Sequence, residues 1–260
     1  MLLGRIRLVV RPIFLFEPAV IMEKVIFKDL GLISYQEAWD YQTKIHKKLI
    51  EKKLEARKSK VKIQQKHHLI FCEHPPVYTL GKSGSDDNLL LDDPTLKKEG
   101  FEFYKINRGG DITYHGPGQL VVYPIFDLDC FFTDVHKYVR ALEEVIIQML
   151  DHYGLEAVRI KKYTGVWLPN PERKICAIGV HLSRWVTLHG LALNVKPTLS
   201  HFDNIIPCGI TDADKAVTSM QKELPFEINM TEVKSKVKNL FREIFEFEFE
   251  NFNKKTNNNA

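Results

Sequence analysis

Three short runs rich in β-formers follow one another between residues 164 and 195: "TGVWL", "KICAIGVHL" and "TLHGLALNV". Only turns separate them, so the chain doubles back at each one and the pattern predicts an antiparallel meander. Immediately before them, "TDVHKYVRALEEVIIQMLDHYG" reads as a helix, capped by Thr133 or Asp134 and closed by Gly154. Its apolar stripe is Val135, Tyr138, Val139, Leu142, Val145, Ile146 and Met149, the spacing of a helix packed on one face. Elsewhere strands and helices interleave unevenly, which predicts an α+β fold rather than a doubly wound sheet.

The flanking chain agrees. Glu23 to Leu30 reads as a strand ending at a turn on Gly31, and Ser34 with Glu37 forms a capping box for a helix carrying Ala38, Tyr41, Ile45 and Leu49 on one face. From Lys44 to Lys66 ten Lys or Arg stand against Glu51 and Glu55. That run is a solvated helix face or a docking surface for an acidic protein. "HLIFCEHPPVYTLGKSG" is strand-like up to Pro75-Pro76, "FEFYKI" and "QLVVYPIFDL" are strands, "KSKVKNLFREI" is a helix, and "FEFEFENF" is a half-buried final strand. At 260 residues with 44% hydrophobic and 27% charged, this is ordinary globular composition. A net charge of +4 does not point to nucleic acid. Residues 22–252 are expected to form one domain and 253–260 a disordered tail. Residues 1–21 resemble a leader through Arg5, Arg7 and Arg11, but Pro12 and Glu17 leave them too broken for a membrane span.

Chemistry narrows to thiols. Cys72, Cys130, Cys176 and Cys208 include no CxxC pair, which fits a reducing cytosol and neither a disulfide framework nor a zinc knuckle. His68, Cys72 and His74 lack a fourth ligand and read as two surface histidines and a packed thiol, so no metal is expected. "GKS" at Gly81 has Pro76 where a phosphate loop needs glycine, and that reading fails. Cys208, between Pro207 and Gly209, is displayed on a turn. Its rival Cys176 lies two residues beyond Lys174, on one strand face about 7 Å apart. A thiol of pKa about 8.5 needs a base or a positive neighbour to react at neutral pH. His115, His181, His189 and Lys174 are all candidates. The residues alone reach cysteine-dependent acyl transfer with a basic partner, and leave "NRGGDITYHGPGQLVVYPI" as either a strained turn or the wall of a site.

Four segments carry a resemblance. "RGGDITYHGPGQLVVYP", "RKICAIGVHLSRWVTLHGLALNV", "FDNIIPCGI" and, earlier, "FCEHPPVYTLGKSGSDDNLL" are similar, in order, to the signature segments of the lipoyl(octanoyl) transferases, over roughly residues 23–219. The family implies a lipoate/biotin protein ligase-like fold, a mixed and largely antiparallel sheet flanked by helices. It implies transfer of an octanoyl group from octanoyl-acyl carrier protein to a lysine of lipoyl domains, those of 2-oxoacid dehydrogenase complexes and of the glycine cleavage H protein. This is the first step of endogenous protein lipoylation, in the cytoplasm, without ATP or another cofactor. It makes Cys208 the acyl-thioester nucleophile and Lys174 its partner base. It makes Arg108, Gly109, Gly110, Asp111, Ile112, Thr113, Tyr114 and His115 one stretch of substrate wall, continued by Ala177, Ile178 and Gly179 and by Gly190, Leu191 and Ala192. The glycines would let an acyl chain lie against backbone. The departures are residues 1–21 and the lysine-rich stretch 58–66, neither within a motif. Two rivals are an ATP-dependent ligase on the same fold, in which "PCGI" would be idle, and a basic non-catalytic binding module.

Overall fold

The computed structural model describes residues 22–61, 63–206 and 216–250. The expected leader and tail, and Cys208 with Pro207 and Gly209, lie outside the described residues. The strands are β1 (Glu23–Leu32), β2 (His67–Glu73), β3 (Val77–Leu80), β4 (Glu102–Lys105), β5 (Ile112–His115), β6 (Gln119–Ile125), β7 (Val158–Ile160), β8 (Tyr163–Leu168), β9 (Arg173–Ser183), β10 (Val186–Asn194), β11 (Ala216–Val217) and β12 (Phe247–Phe249). The helices are α1 (Tyr35–Ser59), α2 (Asp93–Glu99), α3 (Val135–Asp151), α4 (Met220–Glu223) and α5 (Met230–Ile244).

Nine strands make one sheet in the order β12-β1-β2-β6-β10-β9-β8-β7, with β11 beside β9, and β4-β3-β5 make a small second sheet. β1 runs parallel to β12 and β2, whereas the pairings from β2 through β6, β10, β9 and β8 to β7 are antiparallel. The fold is therefore α+β with a mixed, largely antiparallel sheet, and the meander runs as its sequence requires.

The central strand β6, "QLVVYPI", is buried throughout because both faces are covered. Leu120 and Val122 join the core under α3 and α5, while Val121 and Tyr123 face α1, the two-residue alternation of a strand. In α3 the Asp134 carboxylate caps the Lys137 N–H at 3.0 Å. Tyr138, Leu142, Val145, Ile146 and Met149 are buried as the stripe predicts, and Val135 in the first turn is exposed. Glu143 is buried among them, a charge the apolar period does not announce.

The strand before Pro75-Pro76 ends there as expected, and β3 of the second sheet follows. Two expectations are corrected. The basic run of α1 is not wholly solvated: Lys53 is buried, 2.6 Å from Asp127 and 2.8 Å from Asp129, and Arg57 joins Asp129. His74 is not at the surface. It donates through Nδ1 to the Ile33 carbonyl at 2.8 Å and accepts from the Tyr123 hydroxyl at 2.8 Å, because the α1 layer closes over that face. Among the described residues, no helix is long and apolar enough to cross a membrane.

Candidate functional site

β9 and β10 pair so that Gly179 faces Gly190, Ile178 faces Leu191, and Ala177 faces Ala192. Two stretches far apart in the sequence are thus one surface. The glycine-rich segment is laid across its end. Gly109 N–H donates to the Val180 carbonyl at 2.9 Å, and the Arg108 and Gly110 carbonyls accept from Lys82 and Ser83 at 3.0 and 3.1 Å. The segment then enters β5. Between them lies a cavity of about 340 Å³, lined by Arg108, residues 110–113 and His115, by Lys174 and residues 177–179, and by residues 190–192. Gly109 and Tyr114 do not line it. Gly109 is turned to β9, and Tyr114 packs into the aromatic cluster of Tyr78, Phe101 and His201.

Arg108 is almost wholly buried. Its Nη2 donates to the Thr79 carbonyl at 2.6 Å and to Thr79 Oγ1 at 3.0 Å, and Nη1 donates to the Gly109 carbonyl at 3.1 Å. The guanidinium therefore holds the glycine segment onto β3. His115 Nδ1 meets Gln119 Oε1 at 2.7 Å, and the Gln119 amide donates to Asn194 Oδ1 at 2.8 Å. That orientation puts the His115 proton on Nδ1. Burial, then the neighbouring His74, push His115 down to about 3. Burial, then Arg108, push His189 down to about 3 as well, with its Nε2 held 2.7 Å from Asn107 Oδ1. Both rings line the cavity as neutral, fixed groups, and His181 does not line it.

Lys174 lines the cavity, and Cys176 does not. The expectation that they share a strand face fails for a local reason. One step on β8, Val166 to Trp167, spans two on β9, Cys176 to Lys174. Ile175 is the extra residue of a bulge, and alternation restarts beyond it. Cys176 consequently packs in the core, where burial pushes its thiol far above the ordinary range.

Glu23, His67 and Cys130 bring ligand atoms within 4.8 Å of one another, yet their hydrogen bonds do not suit a metal. The Asp127 N–H donates to His67 Nδ1 at 3.2 Å, so Nε2 keeps the proton and offers it to Glu23 at 3.2 Å. A metal would need that lone pair.

The glycines act differently from the expectation. A Cβ on Gly179 would stand 2.8 Å from Arg108 Cδ and 2.9 Å from the Gly109 carbonyl, and one on Gly190 would meet the Val122 carbonyl. At these positions the missing side chain admits the glycine segment and β6, not the ligand. Gly179→Ala is expected to destabilise the fold by about 1–3 kcal/mol through overpacking; urea unfolding checks it, and an unchanged midpoint would contradict this packing.

Residues not singled out from sequence also line the cavity, among them Tyr35, Gln119, Tyr123 and Asn194. Gln119 carries a signal in retrospect, a polar residue heading an apolar strand. Tyr35 carries none, since it follows a helix cap and reaches the site only through the packing of α1.

A profile of the lipoyl protein ligase A/B catalytic domain matches residues 34–242. The chain is 53% identical over 235 residues to the octanoyltransferase of Cytophaga hutchinsonii, covering 88% of this chain and 96% of that one. It is 54% identical over 230 residues to that of Christiangramia forsetii, covering 87% and 97%. This chain belongs to the octanoyltransferase family. Solved structures share the fold of this octanoyltransferase family member. The bi-partite lipoate protein ligase of Thermoplasma acidophilum superposes with a TM-score of 0.65 at 17% identity, over 90% of this chain and 88% of that one. A lipoate-protein ligase A bound with ATP gives 0.64 at 16%, over 90% of each chain.

Proposed function

We propose that this octanoyltransferase family member moves an octanoyl group from octanoyl-acyl carrier protein to a lysine of lipoyl domains, through a thioester on Cys208 with Lys174 as its proton partner. The observation that carries this reading is the convergence of Lys174 and three separate wall segments on one cavity. The cavity suits an acyl chain, because Ile178, Leu191, Ala192 and Val121 on its lining contribute apolar surface. Burying the chain contributes about 0.8 kcal/mol per CH₂. Val217, nine residues after Cys208, pairs with Lys174, and Thr218 N–H donates to the Lys174 carbonyl at 3.0 Å. The first described strand after Cys208 thus pairs with the strand that carries its proposed partner.

In the first half-reaction the Cys208 sulfur attacks the thioester carbonyl, its C–S bond forms, and the carrier's thiol departs with a proton. In the second, the lipoyl-domain amine attacks the enzyme thioester, the new C–S bond breaks, and the amine proton passes to Lys174. Thioester exchange is nearly isoenergetic, so ATP has no role.

Mass spectrometry of the intact chain after incubation with octanoyl-carrier protein tests the reading. Wild type and Cys176→Ala are expected to gain one octanoyl group and Cys208→Ala none. An adduct on Cys208→Ala would refute the assignment, and near wild-type turnover by Lys174→Ala at neutral pH would remove Lys174. Modification of a lipoyl domain only with free octanoate, ATP and magnesium would identify a ligase instead.

A further inference from the structure

Lys174 stands on a shelf that the reaction described above leaves unexplained. Its Nζ lies 4.7 Å from the centroid of the Trp167 ring. Its stem crosses Gly165, where a Cβ would be 3.7 Å from Lys174 Cε and only 2.5 Å from the Cys176 carbonyl oxygen. Gly165, at φ +125°, is itself anchored from behind: its N–H donates at 3.1 Å to Oε1 of the buried Glu143. The other Glu143 oxygen takes Arg140 at 2.6 Å and Arg159 at 3.1 Å. The buried charge in the apolar stripe of α3 therefore fixes the strand residue over which Lys174 lies.

The indole is the telling part. Trp167 is fully buried, yet its Nε1–H has no hydrogen-bond partner among the described residues. An unmade buried donor is a cost that phenylalanine or leucine would avoid. What tryptophan offers beyond either is the strongest aromatic face for a cation.

We propose that Trp167 is a positioning residue for Lys174, its ring face holding the lysine as an ammonium at the cavity wall. The inference rests on the proposed Cys208–Lys174 chemistry and sharpens it. The resting pair is ammonium and thiolate. When the thiolate displaces the carrier's sulfur, the leaving thiolate takes a proton from Lys174. The now neutral amine accepts a proton from the attacking lipoyl-domain lysine as the amide bond forms and the Cys208 C–S bond breaks. Ammonium and thiolate are thereby restored, and no proton or electron pair is left over.

The test weakens the ring face without changing its shape. In a Trp39→Phe, Trp185→Phe background, Trp167 is the single tryptophan of the chain, and it is replaced biosynthetically by mono- and then trifluorinated tryptophan. Each fluorine withdraws charge from the face. The alkaline limb of the kcat/KM profile, where the ammonium is lost, is expected to move stepwise to lower pH, with transfer at pH 9 about tenfold lower in the trifluorinated protein and the profiles converging at low pH. Iodoacetamide alkylation of Cys208, followed on its own peptide, reads loss of the neighbouring ammonium as a second rise in thiolate reactivity, and that rise is expected to shift in parallel. An alkylation profile that does not move with fluorination would overturn the inference. Absence of octanoyl transfer in the unfluorinated protein would instead refute the proposed function, and the alkylation series would still decide the role of Trp167.

Discussion

Below pH 6.5 the protein is expected to lose stability by about 4 kcal/mol per pH unit, and to unfold between about pH 5 and pH 3. Three buried histidines set the slope. Burial holds His74 down to about 4, and His115 and His189 down to about 3, whereas each has a pKa of about 6.5 in the unfolded chain. Between these values the unfolded chain binds protons that the folded one refuses. The stabilisation is complete above pH 6.5 and is lost as pH falls toward the folded values. One such proton changes the unfolding free energy by about 1.4 kcal/mol per pH unit, and three by about 4. The loss ends near pH 3 at about 13 kcal/mol, which exhausts all but the upper end of the usual total of about 5–15 kcal/mol. Calorimetry at pH 5 in buffers of different ionisation enthalpy counts the protons taken up on unfolding. An uptake below one would refute the prediction.

These histidines also mark where the sequence stops being legible. A period of 3.6 or 2 is a local property, so the α3 stripe and the β8–β9–β10 meander could be read directly. Burial of a polar ring is not local. His74 reads as a surface residue because nothing in "FCEHPP" announces that α1 will close over it. His115 and His189 read as bases because only the assembled site shows each ring already committed, to Gln119 and to Asn107. The parallel pairings of β1 with β2 and β12 join segments distant along the chain and leave no periodic trace. Lys174 and Cys176 part company for a finer reason, since a single extra residue in β9 reverses alternation and its cause lies in the pairing with β8. The wall segments were recognisable as motifs, but their convergence on one cavity, and the place of Tyr35 and Tyr123 in it, required the fold.

Arg108→Ala is expected to cost about 3–5 kcal/mol of stability and to lower octanoyl transfer about 100-fold even where the protein remains folded. The stability loss has two sources. The Thr79 and Gly109 carbonyls lose their guanidinium donor in a buried place, at about 1–3 kcal/mol for each group left unmade. The space beside Gly179 and Gly81 that the side chain fills is also emptied, and a water entering it would recover part of the loss. The rate loss has a separate origin. Arg108 ties the glycine segment to β3 while Gly109 ties it to β9, and a wall displaced by about 1 Å can cost 10²-fold in rate. Arg108→Lys separates the two effects. Lysine keeps the charge but lacks the fork that reaches Thr79 through one nitrogen and the Gly109 carbonyl through the other, so it should recover more stability than activity. Urea unfolding and transfer kinetics on the same samples measure both. Removing the charge also lifts one of the forces that hold His115 and His189 down. In Arg108→Ala their folded pKa values rise toward 6.5, and the acid loss of stability should end at a higher pH than in wild type. Equal loss of stability in both variants, with wild-type transfer in either, would show that the guanidinium fills space without holding the wall.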